Sequence, residues 1–415
     1  MKSGTPRSIL ILSAGPLCRN PRVFKEARTL GHAGFDVTVM TIANLVRFEA
    51  YDREIMKTAP FRKIALNHLP GSWPALIRST TSRLGTWLAR RSIRFGLQSA
   101  QALGPAYSLS RMARNYPADL TIVHTELPMC IGRELLACSR RVATDFEDWH
   151  SEDLLPEARA ARPMGLIRRV ERDLMRQSAY ISTTSHAMSE ALHKTLGGTR
   201  PIVITNSFPL QPEPGLTHQV GPPAFFWFSQ TIGPGRGLEL FIAAWSKIRE
   251  SSRLCLLGDV DAAYRENLIG RLPQKRRDWL EFLPITSPEN LPAVIARHHI
   301  GLALEPSIPA NKDYTISNKI LQYFNAGLAV IASNTTGQRE ALTRAPGAGY
   351  VVTLSETGEL TRLLDSMVAD RGRLVAMGAA ARRAAEEHYC WEKEIPHLVA
   401  AVEGALEQPL AARSK

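Results

Sequence analysis

Short apolar runs alternate with amphipathic helical patterns along most of this chain. The run SILILSA is followed by a polar turn and by RVFKEARTLGHAG, whose apolar residues have helical spacing, and FDVTVMT then forms a second apolar run. Later runs in the first half with the same character are ADLTIVHT, RRVATDF and AYISTTS. Strands that alternate with helices are typical of a parallel sheet covered on both faces. The first half is therefore predicted to be a doubly wound α/β domain.

A Pro- and Gly-rich stretch, QPEPGLTHQVGPP, separates this half from a second region with the same alternation. The strand candidates of that region are AFFWFSQ, RLCLLGD, WLEFLP, IGLALEP, LAVIASN and GYVVTL. We predict one domain over residues 1–210 and a second over 211–390. The last part of the chain is predicted to be helical except near Pro396, with residues 391–415 as a C-terminal helix.

Residues 61–116 interrupt the alternation of the first half with a basic helical pattern. Its arginines are Arg83, Arg90, Arg91 and Arg94, and its apolar stripe contains Leu84, Trp87, Leu88, Ile93 and Leu97. Such a helix can lie on an anionic membrane surface. A helix that packs its apolar stripe on the domain and leaves its arginines in solvent is the alternative that we favour.

The composition indicates a globular protein with acidic partners. The 415 residues contain 51 Lys+Arg and 39 Asp+Glu, a net charge of +12, which favours nucleotides, nucleic acid or an anionic membrane. The five cysteines are scattered without metal-ligand spacing, which predicts a reducing cytoplasm. The apolar run near the N-terminus is too short for a signal sequence or a membrane span.

The loop SQTIGPGRGLELF follows a predicted strand and begins a helix. Gly233, Gly235 and Gly237 allow a ligand to approach the backbone, and Arg236 can pair with a phosphate at the helix N-terminus. The spacing matches neither a Walker loop nor GxGxxG. A tight turn with a solvated arginine would explain the loop equally well.

A lysine stands in the first turn of the helix predicted in TISNKILQYFNAG. Ser317 is a candidate N-cap, and Lys319 places a positive charge where the helix dipole is already positive. An anion such as a diphosphate would neutralise Lys319, while Asn318 and Gln322 lie one turn apart on one face and could reach sugar hydroxyls. The alternative is an exposed lysine that tolerates the unfavourable dipole.

An acidic segment, DFEDWHSED, follows the predicted strand RRVATDF. Asp145, Glu147, Asp148 and His150 gather at a strand end, where a general base or a ligand of sugar hydroxyls would lie. A solvated acidic loop is the alternative. The pair His124 and Glu126 ends the preceding strand, and we interpret it as structural rather than catalytic.

Two of these stretches resemble a known family. SILILSAGPLCRNPRVFKEARTLGHAGFDVTVMT resembles the N-terminal βαβ unit of GT-B glycosyltransferases of family four, and SNKILQYFNAGLAVIAS with TTGQREAL resembles their donor-binding helix. The resemblance implies two facing Rossmann-like domains, a nucleotide-sugar donor held mainly by the second, and a C-terminal helix that crosses back to the first. It also implies retaining transfer without a metal, and no cofactor beyond the donor substrate.

The resemblance assigns roles to several residues. It implies diphosphate contacts for Arg236 and Lys319 and acceptor-side chemistry for the acidic segment that begins at Asp145. The other residues that it places in the site are Gln322 at the nucleotide ribose, Gly337 and Glu340 of the downstream motif, and Gly15, Asn20 and Arg22 of the N-terminal loop.

The chain also departs from the family pattern. Ser229 and Gln230 stand where a Gly-Arg pair is common. Gln322 and Tyr314 occupy the positions of two paired glutamates, and a neutral amide binds hydroxyls more weakly than a carboxylate.

The expected function is a cytoplasmic glycosyltransferase of polysaccharide biosynthesis. It would move a sugar from a nucleotide-diphosphate donor to a hydroxyl on a glycan or lipid-linked precursor, with a peripheral contact to an anionic membrane left open. The alternatives are a nucleotide-sugar epimerase of the same architecture and a catalytically silent nucleotide-sugar binding protein. A nucleic-acid binder is not expected, because no recognised motif accompanies the positive charge.

Overall fold

The structure, a computed structural model, describes residues 6–69, 73–212 and 221–409. The two strand–helix alternations form two units. The first contains the described parts of Met1–Thr184, Met188–Ile204 and Ile395–Lys415, and the second contains those of Ser185–Ala187 and Thr205–Glu394. Residues 213–220, within the predicted linker, lie outside the described residues.

The first unit is built on a seven-stranded parallel sheet with the order β3-β2-β1-β4-β5-β6-β7. Its strands are β1 (Ser8–Leu12), β2 (Asp36–Ala43), β3 (Arg62–Asn67), β4 (Leu120–His124), β5 (Val142–Phe146), β6 (Ile181–Thr183) and β7 (Ile202–Val203). The central strand β1 pairs with β2 and β4, and its residues 9–12 are fully buried. This burial on both faces explains the continuous apolar run in the sequence.

The helices of the first unit follow from local capping and amphipathic spacing. They are α1 (Pro21–His32), α2 (Val46–Met56), α3 (Trp73–Ser92), α4 (Ala106–Asn115), α5 (Glu126–Ala137), α6 (Pro156–Arg159), α7 (Met164–Gln177) and α8 (His186–Leu196), the last of which begins in residues that group with the second unit. At the start of α1, the Asn20 side chain accepts a hydrogen bond from the Val23 N–H, and Pro21 occupies the first turn.

The second unit contains a six-stranded parallel sheet with the order β10-β9-β8-β11-β12-β13. Its strands are β8 (Ala224–Ile232), β9 (Arg253–Val260), β10 (Leu280–Leu283), β11 (Ile300–Ala303), β12 (Ala329–Ser333) and β13 (Gly349–Val352). Alternate residues of β8 enter two apolar clusters: Phe225 and Trp227 join one cluster, and Phe226 joins the other. Such alternation places helices over both faces of the sheet.

Ten further helices complete the description. They are α9 (Leu238–Trp245), α10 (Ala262–Gly270), α11 (Gln274–Arg277), α12 (Leu291–Ile295), α13 (Ala310–Tyr314), α14 (Asn318–Asn325), α15 (Thr336–Thr343), α16 (Thr357–Ala369), α17 (Arg371–Glu387) and α18 (Trp391–Glu407). Gly301 of β11 lets the ring of Tyr323 lie against the strand, since a Cβ at Gly301 would stand 2.2 Å from that ring. The Tyr323 hydroxyl donates to the Phe226 carbonyl, so α14 is held close to the sheet.

The strand order reverses direction at one point in each sheet. In the first sheet this point lies between β1 and β4, and in the second it lies between β8 and β11. Open α/β sheets bind ligands at the carboxyl ends of the strands beside such a switch point. The loops that follow these four strands are therefore the places to look for a site.

The segment predicted as a helical insert, residues 61–116, differs from the expectation at its start. Arg62–Asn67 forms β3 and pairs with β2 at the edge of the sheet. The pattern was missed because an edge strand is only half-buried and its ends are polar. The two-residue strand β7 was also not predicted.

The break predicted near Pro396 is wrong. Helix α18 continues through Pro396, which lies inside the helix and removes one intrahelical hydrogen bond without ending it. The helical run is interrupted earlier, where Cys390 forms a β-bridge with Phe208 and the Trp391 N–H donates to the Phe208 carbonyl. Residues of α18 from Ile395 onward group with the first unit, in which Arg141 donates to the Gln408 carbonyl.

Candidate functional site

A buried ion pair joins α1 to β5 in the first unit. Arg22 donates from Nε and Nη2 to the two carboxylate oxygens of Asp145 at 2.9 and 2.6 Å, and from Nη1 to the Ile204 carbonyl. The Ser182 hydroxyl donates to Asp145 Oδ2 at 2.6 Å. Both charged side chains are almost completely buried. Bidentate pairing of this kind fixes the position of α1 against the sheet.

A second buried pair extends this network. His124, the last residue of β4, contacts Glu26 of α1 with 2.5 Å between Nε2 and Oε2, and its Nδ1 lies 3.5 Å from Asp145 Oδ1. Burial alone would lower the pKa of His124, but the charges of Glu26 and Asp145 raise it overall. Burial likewise would raise the pKa of Asp145, and the charges of Arg22 and His124 lower it. Two cations thus neutralise two anions.

The acidic segment DFEDWHSED begins at the end of β5, and its residues have different environments. Asp145, predicted as a catalytic residue, is a buried partner of Arg22, so its carboxylate has no open face for a substrate proton. Glu147 is half-buried, and burial together with the charges of Asp148 and Asp145 raises its pKa to about 7, although Arg22 opposes the shift. Glu147 is therefore the carboxyl group of this segment that exchanges a proton near neutral pH.

His150 contributes an imidazole with a different protonation state. Its side chain is buried, and burial lowers its pKa although the charges of Asp148 and Asp145 oppose the shift. Its Nε2 has no hydrogen-bond partner among the described residues. The ring is consequently neutral and retains one unused donor or acceptor position. The next residue, Ser151, donates its N–H to Glu171 of α7.

The N-terminal loop after β1 is held by a carboxylate that the sequence reasoning missed. Asp52 of α2 is fully buried and accepts the N–H groups of Leu17 and Cys18 at 3.0 and 2.7 Å. Lys63 of β3 lies 2.6 Å from Asp52. Burial raises the pKa of Asp52, but the Lys63 and backbone hydrogen bonds lower it overall. The sequence did not indicate this role, because Asp52 stands among other charged residues of a helix.

The three residues predicted in the N-terminal loop have different surroundings. Asn20 caps α1, and Arg22 belongs to the buried network. Gly15 faces open space, with no heavy atom within 4 Å of a Cβ built there. Only Gly15 thus lies where a ligand could approach without displacing a described side chain.

Backbone strain marks the other side of the first switch point. Thr125 follows β4 with φ 66° and ψ 166°, a conformation that β-branched residues rarely adopt, at a cost of about 1–3 kcal/mol. Its hydroxyl is buried and has no partner among the described residues. The adjacent Glu126 pairs with Arg162. His124 and Glu126, which we predicted to be structural, therefore stand on either side of a strained residue, Thr125, that the sequence analysis did not single out.

In the second unit, the loop after β8 presents an exposed cation at a helix start. Gly235 and Gly237 have φ of 75° and 76°, and a Cβ at Gly237 would stand 2.6 Å from Leu354 Cδ1. Arg236 is exposed and makes no ion pair with any residue that the structure describes. Gly233 is half-buried with open space above it. The guanidinium and the N–H groups of α9 form a positive site beside the second switch point.

The lysine at the start of α14 has an internal anion. Lys319 Nζ lies 2.5 Å from Glu305 Oε1, just beyond the carboxyl end of β11, and 5.5 Å from the centroid of the Trp227 ring. The Ser317 side chain accepts the Lys319 N–H, as predicted for an N-cap, and its hydroxyl donates to Glu305. Burial would raise the pKa of Glu305, but Lys319 lowers it overall. The charge that seemed to require a ligand is thus neutralised by Glu305.

The remaining donor-side residues predicted from the sequence lie around α14 and α15. Asn318 is exposed and Gln322 is half-buried, so the two amides flank the helix start. Gly337 is required for packing, because a Cβ there would stand 2.4 Å from the Thr315 carbonyl oxygen. Both carboxylate oxygens of Glu340 accept backbone N–H groups, those of His186 and Ala187. Glu340 therefore caps a backbone segment within the second unit.

Among the described residues, no cluster of three or more His, Cys, Asp and Glu side chains could hold a metal ion. None of the helices within the described ranges combines the length and the apolarity needed to cross a membrane.

Part of the second unit matches a known protein family. Residues 222–370 match the family model described as glycosyl transferases group 1. No curated protein sequence matches the chain significantly. The matched region contains the loop after β8 and the whole of α14 and α15.

Three solved structures share the fold. Anabaena Alr3699/HepE in complex with UDP and glucose has a TM-score of 0.67 at 17% identity, over 96% of this chain and 99% of that chain. Sucrose-phosphate synthase from Thermosynechococcus elongatus has a TM-score of 0.69 at 14% identity, over 96% and 98%. WaaG, a glycosyltransferase involved in lipopolysaccharide biosynthesis, has a TM-score of 0.60 at 12% identity, over 95% and 99%.

The two parallel sheets and the likeness to these solved structures show the GT-B fold, which confirms the predicted fold class. The similarity to the glycosyl transferases group 1 model extends over residues 222–370, which lie within the second unit.

Proposed function

We propose that this protein transfers a sugar from a nucleoside diphosphate sugar to an acceptor hydroxyl on a glycan or lipid-linked precursor in polysaccharide biosynthesis. Transfer would retain the anomeric configuration and need no metal ion. The observation that carries the donor half is Arg236, an exposed guanidinium without an ion partner among the described residues, at the N-terminus of α9. A departing diphosphate develops negative charge, which a preorganised cation and helix N–H groups stabilise.

The position of Arg236 supports this role independently of its charge. The loop that carries it follows β8, and Glu305 and Lys319 follow β11, which is the neighbouring strand across the switch point. A diphosphate bound beside Arg236 would therefore lie near the start of α14, where Asn318 and Gln322 offer amides to ribose or sugar hydroxyls. The complex of HepE with UDP and glucose makes UDP the first nucleotide to test.

The acceptor half rests on the segment after β5. Glu147 has a pKa near neutrality and can accept the proton that the attacking hydroxyl loses. Neutral His150 can hold a hydroxyl through a hydrogen bond. Asp145 acts only through its ion pair with Arg22, which positions α1 and the loop before it.

We further propose a cytoplasmic location with a peripheral contact to an anionic membrane. The five cysteines are free thiols, which fits a reducing compartment. An enzyme that glycosylates a lipid-linked precursor must reach the surface that holds the lipid, and the net charge of +12 favours an anionic one.

The donor half is tested by calorimetry with UDP, GDP, ADP and TDP on the wild type and Arg236→Ala. We expect one diphosphate to bind, and the substitution to weaken it about ten-fold or more, since a hydrogen bond to a charged group contributes about 1.5–3 kcal/mol. Arg297→Ala is the matched control, because Arg297 is also exposed but precedes β11 at the amino edge of the sheet. Absence of binding by all four would overturn the proposal.

Turnover separates transfer from its alternatives. With the preferred donor, product formed only in the presence of an acceptor supports transfer, and NMR of the new anomeric centre reports retention or inversion. Activity that persists in EDTA supports metal independence. Conversion of the donor without any acceptor would indicate an epimerase, and tight binding without turnover would indicate a silent binding protein.

A further inference from the structure

Helix α3 has its apolar side chains on the outside. Ile77, Leu84, Trp87 and Leu88 recur at helical spacing on one face, and between 49% and 58% of each side chain is exposed. The inward-facing residues are small or polar: Ser79 is buried, and Ser82, Gly85, Thr86 and Ala89 are half-buried. The alternative favoured from the sequence, in which the apolar stripe packs on the domain, is wrong.

The contacts on the inner face of α3 explain why its apolar side chains point outward. Arg90 donates from Nε to the Ala102 carbonyl at 2.9 Å, in the short 3₁₀ turn Ala100–Leu103. A Cβ at Gly85 would stand 3.4 Å from the Gln101 side-chain nitrogen, so the helix approaches this turn closely. Small residues allow that approach, and the large apolar side chains are consequently left on the opposite face.

The exposed apolar face continues past the end of α3 and is lined with arginines. Phe95 and Leu97 are 72% and 65% exposed. The Arg91 guanidinium lies 4.4 Å from the centroid of the Trp87 ring, and Arg94 lies 4.9 Å from that of Phe95. We define the α3 surface as Ile77, Arg83, Leu84, Trp87, Leu88, Arg91, Arg94, Phe95 and Leu97.

The electrostatic character of this region is entirely positive. No Asp or Glu occurs between Glu54 and Asp119 in the sequence. Arg83, Arg91 and Arg94 are exposed, and none pairs with an acidic side chain among the residues that the structure describes. Exposed apolar side chains bordered by cations without acidic partners are typical of a surface that binds an apolar partner with negative charge.

We propose that the α3 surface docks on an anionic lipid bilayer. Leu84, Trp87 and Leu88 would enter the interfacial layer, where a tryptophan ring is especially stable, and the arginines would meet lipid phosphates. The proposal rests on the peripheral contact proposed above but not on sugar transfer. Vesicle binding and nucleotide binding can therefore fail separately.

The first test is co-flotation with vesicles of phosphatidylcholine alone or with 30% phosphatidylglycerol. We expect binding only to the anionic vesicles, and weaker binding at high salt because the charges are screened. The triple variant Arg83→Glu/Arg91→Glu/Arg94→Glu should lower the partition coefficient more than ten-fold. The matched control, Lys247→Glu/Lys275→Glu/Arg297→Glu, makes the same charge change at exposed positions of the second unit and should bind nearly as the wild type does.

A second test locates the contact. Brominated lipids should quench part of the tryptophan emission on vesicle binding, and Trp87→Phe should remove that part while leaving flotation intact. Leu84→Ser/Trp87→Ser/Leu88→Ser alters only exposed side chains, so it should fold normally and lose most binding. Equal binding of the arginine variant and its control would overturn the proposal, as would absence of wild-type binding at low salt. A dimer that the serine variant dissociates would instead assign this face to a second copy.

Discussion

Two carboxylate–cation pairs, one from each unit, lie near the carboxyl edges of the two sheets and differ in exposure. In the first unit, Asp145 and Arg22 have side chains that are 2% and 3% exposed and meet through two hydrogen bonds. In the second unit, Glu305 and Lys319 are 16% and 11% exposed and meet through one. Among the described residues, the second pair has a cation without an ion partner, Arg236, in the loop after the adjacent strand β8, and the first pair has no such neighbour.

The difference in burial distinguishes a charge that only holds the fold together from a charge that could also bind a ligand. The Arg22 guanidinium is locked in its buried fork, and its third contact is a backbone carbonyl. The Lys319 side chain is 11% exposed and meets Glu305 through one hydrogen bond, so its ammonium retains further donor capacity on a flexible stem. The first sheet therefore uses charge to position a helix, whereas the second can offer charge to a ligand.

The largest expected effect comes from breaking the buried pair. Arg22→Met leaves Asp145 buried without its main partner, and it should lower the free energy of unfolding by about 3–5 kcal/mol. Urea unfolding followed by circular dichroism measures the loss. Arg62→Met in the same unit is the control, because Arg62 and Asp36 form an exposed pair that should contribute less than about 1 kcal/mol.

A double-mutant cycle sharpens the result. Arg22→Met combined with Asp145→Leu removes both charges, and it should recover part of the stability lost in the single variant. Equal losses for Arg22→Met and Arg62→Met would mean that burial does not distinguish this pair, and the contrast between the two sheets would fail.

The fold was largely predictable because it depends on local patterns. Strands such as β1 and β12 are buried on both faces and read as continuous apolar runs, so periodicity and turn residues were sufficient to find them. Strand β3 was not predicted, because an edge strand is only partly buried and does not need a continuous apolar run. The break at Pro396 was predicted wrongly because a proline inside a helix can be accommodated at the loss of one hydrogen bond, and the sequence does not show whether packing holds the helix together.

The site was predictable in position but not in charge pairing. Strand ends indicated Asp145 and Arg236, since parallel topology brings the carboxyl ends of the strands to one edge of each sheet. The start of a helix indicated Lys319. The sequence could not show that Arg22 neutralises Asp145 or that Glu305 neutralises Lys319, because these partners lie far apart along the chain. Whether a charge is paired depends on tertiary packing, which residue spacing does not encode.

The next effect concerns the acidic segment beside the buried pair. With a pKa of about 7, Glu147 should be mostly protonated at pH 6 and mostly ionised at pH 8. If it accepts the acceptor proton, kcat should rise about ten-fold over this range. Glu147→Gln should lower kcat and remove that dependence. A profile that the substitution leaves unchanged would exclude Glu147 as the base.

The contribution of Glu147 to the free energy of unfolding should fall with pH, whereas kcat should rise. The pKa of Glu147 is raised above its ordinary value of 4.5, so the folded state binds this proton more tightly than the unfolded chain does. The contribution to stability is therefore favourable at low pH and is lost as pH rises toward 7. Glu171, whose pKa burial also raises to about 7, is the matched control. Glu171→Gln should change the stability profile without changing the pH profile of kcat.

The smallest expected effect tests the less deeply buried pair, Glu305 and Lys319, directly. Glu305→Gln removes the internal anion of Lys319 and leaves an amide of similar shape, so a bound diphosphate no longer competes for that cation. Affinity for UDP should increase about two- to five-fold, the scale of a partly exposed ion pair. Calorimetry measures the change, and Glu266→Gln, at an exposed carboxylate of α10, should leave the affinity unaltered.

A decrease in UDP affinity would have a different meaning. It would show that Glu305 holds Lys319 in the orientation that the diphosphate needs, and the two pairs would then both be positioning devices. Loss of stability without any change in affinity would make the second pair as structural as the first. Only tighter binding by Glu305→Gln fits a lysine that Glu305 and the donor share, because that outcome requires the two anions to compete for one charge.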